Sequence, residues 1–142
     1  MLDRSPLAHL DEHAARVVAL AREQAERLRS PVVAPEHLLL ALLDRRSGDA
    51  ARVMSALSAS RARDVIVVTP GLHSSPPHLP FTEGCEEAIR RAAREAQALG
   101  DRRIGTGHLL LGALADSAHP AVRALAGAGV GYAAARAAIT GD

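Results

Sequence analysis

The chain has 142 residues and a mass of 14.8 kDa, enough for one ordinary domain or two small halves sharing a core, and too little for a large multidomain enzyme. Seventeen basic and sixteen acidic residues leave a net charge of +1, which offers no broad field for gripping nucleic acid or anionic lipid. Every basic residue is Arg, so chemistry that needs a Lys amine, P-loop nucleotide binding and Schiff-base catalysis included, is excluded for this chain.

Cys85 is the sole cysteine, so neither an intrachain disulfide nor a multi-cysteine zinc site can form. Asp3, Arg4, Asp11 and Glu12 interrupt the first apolar residues, where a signal peptide would carry an unbroken apolar core. No apolar run reaches the length of a membrane span. These features predict a reduced, cytoplasmic protein with no membrane contact. Apolar residues make up 48% of the chain and aromatics 1%, Phe81 and Tyr132 alone. A core of Leu, Val, Ile and Ala suits closely packed helices better than strands, so the expected class is all-α.

In chain order, Asp11 is placed to cap a helix in which Ala14, Val17, Val18, Ala21, Ala25 and Leu28 recur at three- and four-residue spacing. Ser30 and Pro31 end it. Pro35 suits a first helical position, and Glu36 to Leu43 then run almost wholly apolar, the mark of a central buried helix. Beyond a turn at Gly48, Val53, Met54 and Leu57 predict a third helix over 50–57. Residues 58–68, with Val65 to Val68 in an unbroken apolar run, read as a short fourth helix, with a strand as the alternative. The stretch TPGLHSSPPHLP, 69–80, holds four prolines and a glycine and reads as a linker.

After the linker the pattern restarts at a constant offset of 71 residues. Phe81-Thr82-Glu83 answers Leu10-Asp11-Glu12, Ala92 answers Ala21, and His108-Leu109-Leu110-Leu111 answers His37-Leu38-Leu39-Leu40. Matches held in one register across three predicted helices indicate an internal duplication. The expected organisation is an N-terminal tail over 1–9, a first repeat over 10–68, the Pro-rich linker over 69–80 and a second repeat over 81–142. Two pseudo-symmetric four-helix repeats should pack into one compact eight-helix domain, because neither half buries enough apolar surface alone.

Three chemical readings compete. His9-Leu10-Asp11-Glu12-His13 matches the H-x-x-E-H pattern of some zinc hydrolases, which needs two His on one helix face and a third ligand. Cys85 is a nucleophile candidate in principle, but its register partner is Ala14, on the apolar face of the first helix, which points to a buried core residue. Arg45, Arg46, Arg52, Arg61 and Arg63 form one basic stretch and Arg90, Arg91, Arg94, Arg102 and Arg103 another, leaving a small DNA-binding regulator as an alternative without a recognition-helix context. No other grouping suggests catalysis, so the chain is read as non-enzymatic, with no cofactor and no metal.

The stretches ARVVALAREQAERL (15–28) with APEHLLLALL (34–43), and AREAQALG (93–100), IGTGHLLLGAL (104–114) and AVRALAGAGV (121–130), resemble the two repeats of the Clp N-terminal (Clp R) domain of ClpC- and ClpA-type Hsp100 AAA+ unfoldases. The resemblance spans roughly residues 10 to 140. It implies a double-repeat, substrate- and adaptor-docking module, here without the ATPase, that binds or sequesters degradation substrates, adaptors or Clp unfoldase components.

The resemblance also implies a ligand. ClpC-type repeats carry Gly-Thr-Glu-His at the start of the Leu-rich helix, where the Glu helps hold the guanidinium of phosphoarginine and neighbouring groups take the phosphate. Here the first repeat has Ala34-Pro35-Glu36-His37, with the Glu and without the Thr. The second has Gly105-Thr106-Gly107-His108, with the Thr and without the Glu. The expected binding surface is therefore an exposed groove around Glu36 and, by pseudo-symmetry, Thr106, with Arg102 and Arg103 as anion contacts. His37 and His108, each just before a buried Leu run, are expected to be structural.

Overall fold

A computed structural model of the chain describes residues 6–44, 52–53, 57, 65–66 and 79–141. Among them are a 3-10 turn, Pro6–His9, and six α-helices: α1 (Glu12–Arg27), α2 (Pro35–Asp44), α3 (Glu83–Ala98), α4 (Thr106–Leu114), α5 (Pro120–Gly127) and α6 (Tyr132–Thr140). No strand occurs among the described residues. The helices expected over 50–57 and 58–68 fall mostly outside that set, so six helices are seen where eight are expected. Of those stretches, Arg52 and Val53 are helical, and Val53 and Ile66 are buried.

The duplicated register is repeated in the backbone. Asp11 Oδ1 accepts from the Ala14 N–H at 2.8 Å and caps α1; Thr82 Oγ1 accepts from the Cys85 N–H at 3.0 Å and caps α3. A side-chain oxygen that satisfies one of the free N–H groups of a first turn fixes where the helix starts. Both helices have sixteen residues. Both are followed by a left-handed residue at the same register position, Arg29 with φ 56° and Gly100 with φ 76°.

Each first helix lays its small apolar stripe on the Leu-rich helix after it: Ala14, Val17, Val18, Ala21 and Ala25 of α1 against α2, and Cys85, Ala88, Ile89, Ala92 and Ala96 of α3 against α4. All nine residues of α4 are buried. In α2 the buried set is Pro35, His37, Leu38, Leu39, Ala41 and Leu42. The two Leu-rich helices also pack on each other and join the two halves through a single core.

The repeats are further tied by two reciprocal backbone crossings. Leu10 forms an isolated parallel bridge with Ile104, and Phe81 forms one with Val33. In the first, the Asp11 N–H donates to Ile104 O and the Ile104 N–H donates to His9 O, each at 2.8 Å. In the second, the Thr82 N–H donates to Val33 O at 3.0 Å and the Val33 N–H donates to Pro80 O at 2.8 Å. The entry to each repeat is thus hydrogen-bonded to the turn before the Leu-rich helix of the other. His9, within the stretch read as a tail, and Pro80, at the end of the stretch read as a linker, supply carbonyls to these crossings, and Leu79 beside Pro80 is buried in the core.

Candidate ligand-binding site

The start of each Leu-rich helix is organised by its His. The Ala34 N–H donates to His37 Nδ1 at 2.9 Å, and the Gly105 N–H donates to His108 Nδ1 at 2.8 Å. An Nδ1 that accepts leaves the ring proton on Nε2. At His108 that proton goes to Asp101 Oδ2, 2.8 Å away. At His37, which is 2% exposed, Nε2 is buried with no hydrogen-bond partner. The register position of Asp101 is Ser30, whose Oγ donates instead to Val32 O at 2.6 Å. Burial holds the His37 pKa below its ordinary 6.5, with the neighbouring Glu36 carboxylate acting in the opposite direction.

Glu36 lies in the first turn of α2, where a carboxylate complements the positive end of the helix. Its side chain is 27% exposed, and Oε1 lies 3.2 Å from Nε2 of His119. His119 is the N-cap of α5 and belongs to the other repeat; the Ala121 N–H donates to its Nδ1 at 3.1 Å. This partner is absent from the sequence reading, because nothing local in the sequence links a helix cap in one repeat to a first turn in the other.

Thr106 is 2% exposed. It is the first residue of α4, not its cap; Gly105 holds the cap position. Thr106 is therefore closed off from solvent, its turn tucked beneath the entry to α1 with Asp11 Oδ2 only 3.0 Å from where a Cβ on Gly105 would stand, whereas the Glu36 side chain is partly exposed. Arg102 and Arg103 are exposed in the turn before α4. Arg102 lines a cleft of about 280 Å³ with Pro6, His9, Ala93, Gln97 and Asp101. The two arginines thus flank the second turn, whereas Glu36 sits at the first.

The sharper chemical readings meet geometric obstacles. His9 lies in the 3-10 turn and His13 in α1, on opposite sides of the Asp11 cap, so the pair does not share one helix face. Cys85 is fully buried; burial, then the nearby Glu36 and Glu86 carboxylates, pushes its thiol up to about 12, far from a reactive thiolate. In the second basic stretch, Arg90, Arg91 and Arg94 gather on Glu87 at 3.0, 3.6 and 2.9 Å. Hydrogen bonds from Arg90 and Arg94 hold that carboxyl below its usual range.

Two segments of the chain, residues 9–128 and 80–141, match the family described as the Clp repeat (R) N-terminal domain. This chain belongs to that family. It is 32% identical over 126 residues to the chaperone protein ClpC2, chloroplastic, of Oryza sativa subsp. japonica, a match covering 86% of this chain. The chain spans only 14% of that relative's length. Among solved structures of Clp N-domains, that of Hsp104 from Candida albicans superposes with a TM-score of 0.77 at 16% identity, covering 92% of this chain and 89% of that one. A ClpV N-domain in complex with a VipB peptide superposes at 0.67 with 19% identity, covering 83% and 75%. As a Clp repeat domain, the chain has the all-α double-repeat fold of these structures. No helix among its described residues is long and apolar enough to cross a membrane.

Proposed function

We propose that this chain is a non-enzymatic protein-binding module that docks substrates or adaptors of Clp-dependent proteolysis, with Glu36 at the centre of its contact surface. The observation that carries the reading is the double Clp repeat over nearly the whole chain, together with a solved relative of the same fold holding a peptide. Glu36 supplies a half-buried carboxylate at a helix start, positioned to accept hydrogen bonds from a guanidinium. Arginine-phosphorylated proteins are the ligands that best fit a carboxylate at the positive end of a helix, where the carboxylate takes the guanidinium and the helix dipole favours the phosphate. Thr106 backs the second turn from within, and Arg102 and Arg103 serve as peripheral anion contacts. Protein is favoured over DNA because Arg90, Arg91 and Arg94 share Glu87 and so present a partly neutralised edge. The Lys-free, single-Cys chain is assigned to the reducing cytoplasm of its source cell.

A pull-down from that cell with wild type and Glu36→Ala tests the reading. Wild type should recover Clp components, adaptors or arginine-phosphorylated proteins, and Glu36→Ala should recover markedly less of them. Recovery of none of these classes by wild type, or equal recovery by both, contradicts it.

A further inference from the structure

The ring of His119 touches both repeats: one nitrogen caps its own helix and the other lies within ion-pair distance of Glu36. Its Nδ1 accepts the Ala121 N–H and starts α5. In the neutral ring this leaves the proton on Nε2, which lies 3.2 Å from Glu36 Oε1. Both side chains are partly sheltered, 21% exposed for His119 and 27% for Glu36. Register adds a second observation. The position matching Glu36 in the second repeat is Gly107, and the position matching His119 in the first is Gly48. Where the turn carries a carboxylate, the other repeat places an imidazole opposite it; where the turn carries Gly, its counterpart is also Gly.

We propose that His119 is the positioning residue for Glu36, fixing the carboxylate from across the repeat boundary so that Oε2 is presented to a cationic ligand group. This rests on the reading of Glu36 as the ligand contact. A Glu with free side-chain torsions would have to be ordered on binding, whereas one already held by His119 has its rotamer set in the unliganded protein. Loss of that restraint should weaken binding about threefold to tenfold, the cost of immobilising one long side chain.

The two ring nitrogens can be replaced one at a time. In His119→Asn the amide oxygen stands in for Nδ1 and keeps the cap, since Asn is a favoured N-cap residue, but the side chain is too short to reach Glu36. In His119→Gln the amide nitrogen stands in for Nε2 and the cap is lost. Titration with phosphoarginine as the probe should show weakened binding with near-native Tm for His119→Asn. For His119→Gln it should show near-native binding with a lower Tm. Wild-type affinity in His119→Asn while Glu36→Ala abolishes binding would overturn the positioning role and leave the Glu36 contact standing. Unchanged binding in Glu36→Ala, or no binding by wild type, would remove the contact reading and the inference with it. Imidazole ¹⁵N shifts decide the bond without any ligand: wild type should show a bare Nδ1 and an Nε2–H whose resonance moves in Glu36→Ala, and an unmoved resonance contradicts the assignment.

Discussion

The two repeat histidines show how one residue type at one register position acquires different costs. His108 gives its Nε2–H to Asp101, while the Nε2–H of His37 is buried without an acceptor, an arrangement costing about 1–3 kcal/mol relative to a satisfied group. Burial also makes the charged form of His37 unfavourable, so its folded-state pKa is lowered from 6.5. The unfolded chain then takes up a proton near pH 6.5 that the folded chain does not. The contribution of His37 to stability is therefore complete above that pH and is lost as pH falls toward the folded pKa. Denaturant midpoints at pH 7.5 and 5.5 should drop less in His37→Asn, which keeps an acceptor for the Ala34 N–H and cannot titrate, than in wild type; equal drops would contradict this. The sequence places both His just before a Leu run and predicts their structural role. It does not show that Ser30 turns to Val32 and leaves His37 without the partner that Asp101 gives His108, because that difference lies in side-chain direction.

At the scale of elements, Gly112 separates the two helix pairs. Its register partner is Ala41, fully buried in α2. A Cβ on Gly112 would stand 2.2 Å from the Ala88 carbonyl oxygen and 2.8 Å from the Ala92 nitrogen, so α3 and α4 approach more closely than a methyl group allows. Gly112→Ala would gain about 1 kcal/mol of helix propensity. The clash is with backbone, which yields only by moving a whole helix, and overpacking of this kind costs about 1–3 kcal/mol. A lower Tm for Gly112→Ala is expected, and a raised one would contradict the close packing. Most elements are legible in the sequence for local reasons: Asp11 as a cap with Thr82 as its register counterpart, the apolar stripes of α1 and α3, and the unbroken apolar faces of α2 and α4. Burial of Thr106 and the pairing of His119 with Glu36 are not, because periodicity identifies a buried face without naming the element that covers it.

For the whole molecule, the reciprocal bridges Leu10 to Ile104 and Phe81 to Val33 make each repeat complete the other. The register of 71 residues predicts two similar halves, but it does not predict that their entries cross. Each half alone would lose two of these interrepeat backbone bonds' partners at every crossing and expose the α2–α4 contact, and a unit of this size has little apolar burial in reserve. Residues 1–78 and 79–142, expressed separately, should therefore lack a cooperative thermal transition by circular dichroism and regain one on mixing. Independent cooperative folding of either half would contradict this view of the core. The same architecture brings Glu36 and His119 together from different halves, so the proposed contact surface exists only in the assembled pair of repeats. Amide chemical-shift mapping of the intact ¹⁵N-labelled chain, titrated with an arginine-phosphorylated peptide and its unphosphorylated control, tests that claim most directly. Saturable shifts confined to the first turn of α2 and the start of α5, present with the phosphorylated peptide and absent in Glu36→Ala, are the predicted result; shifts elsewhere, or none with either peptide, would contradict it.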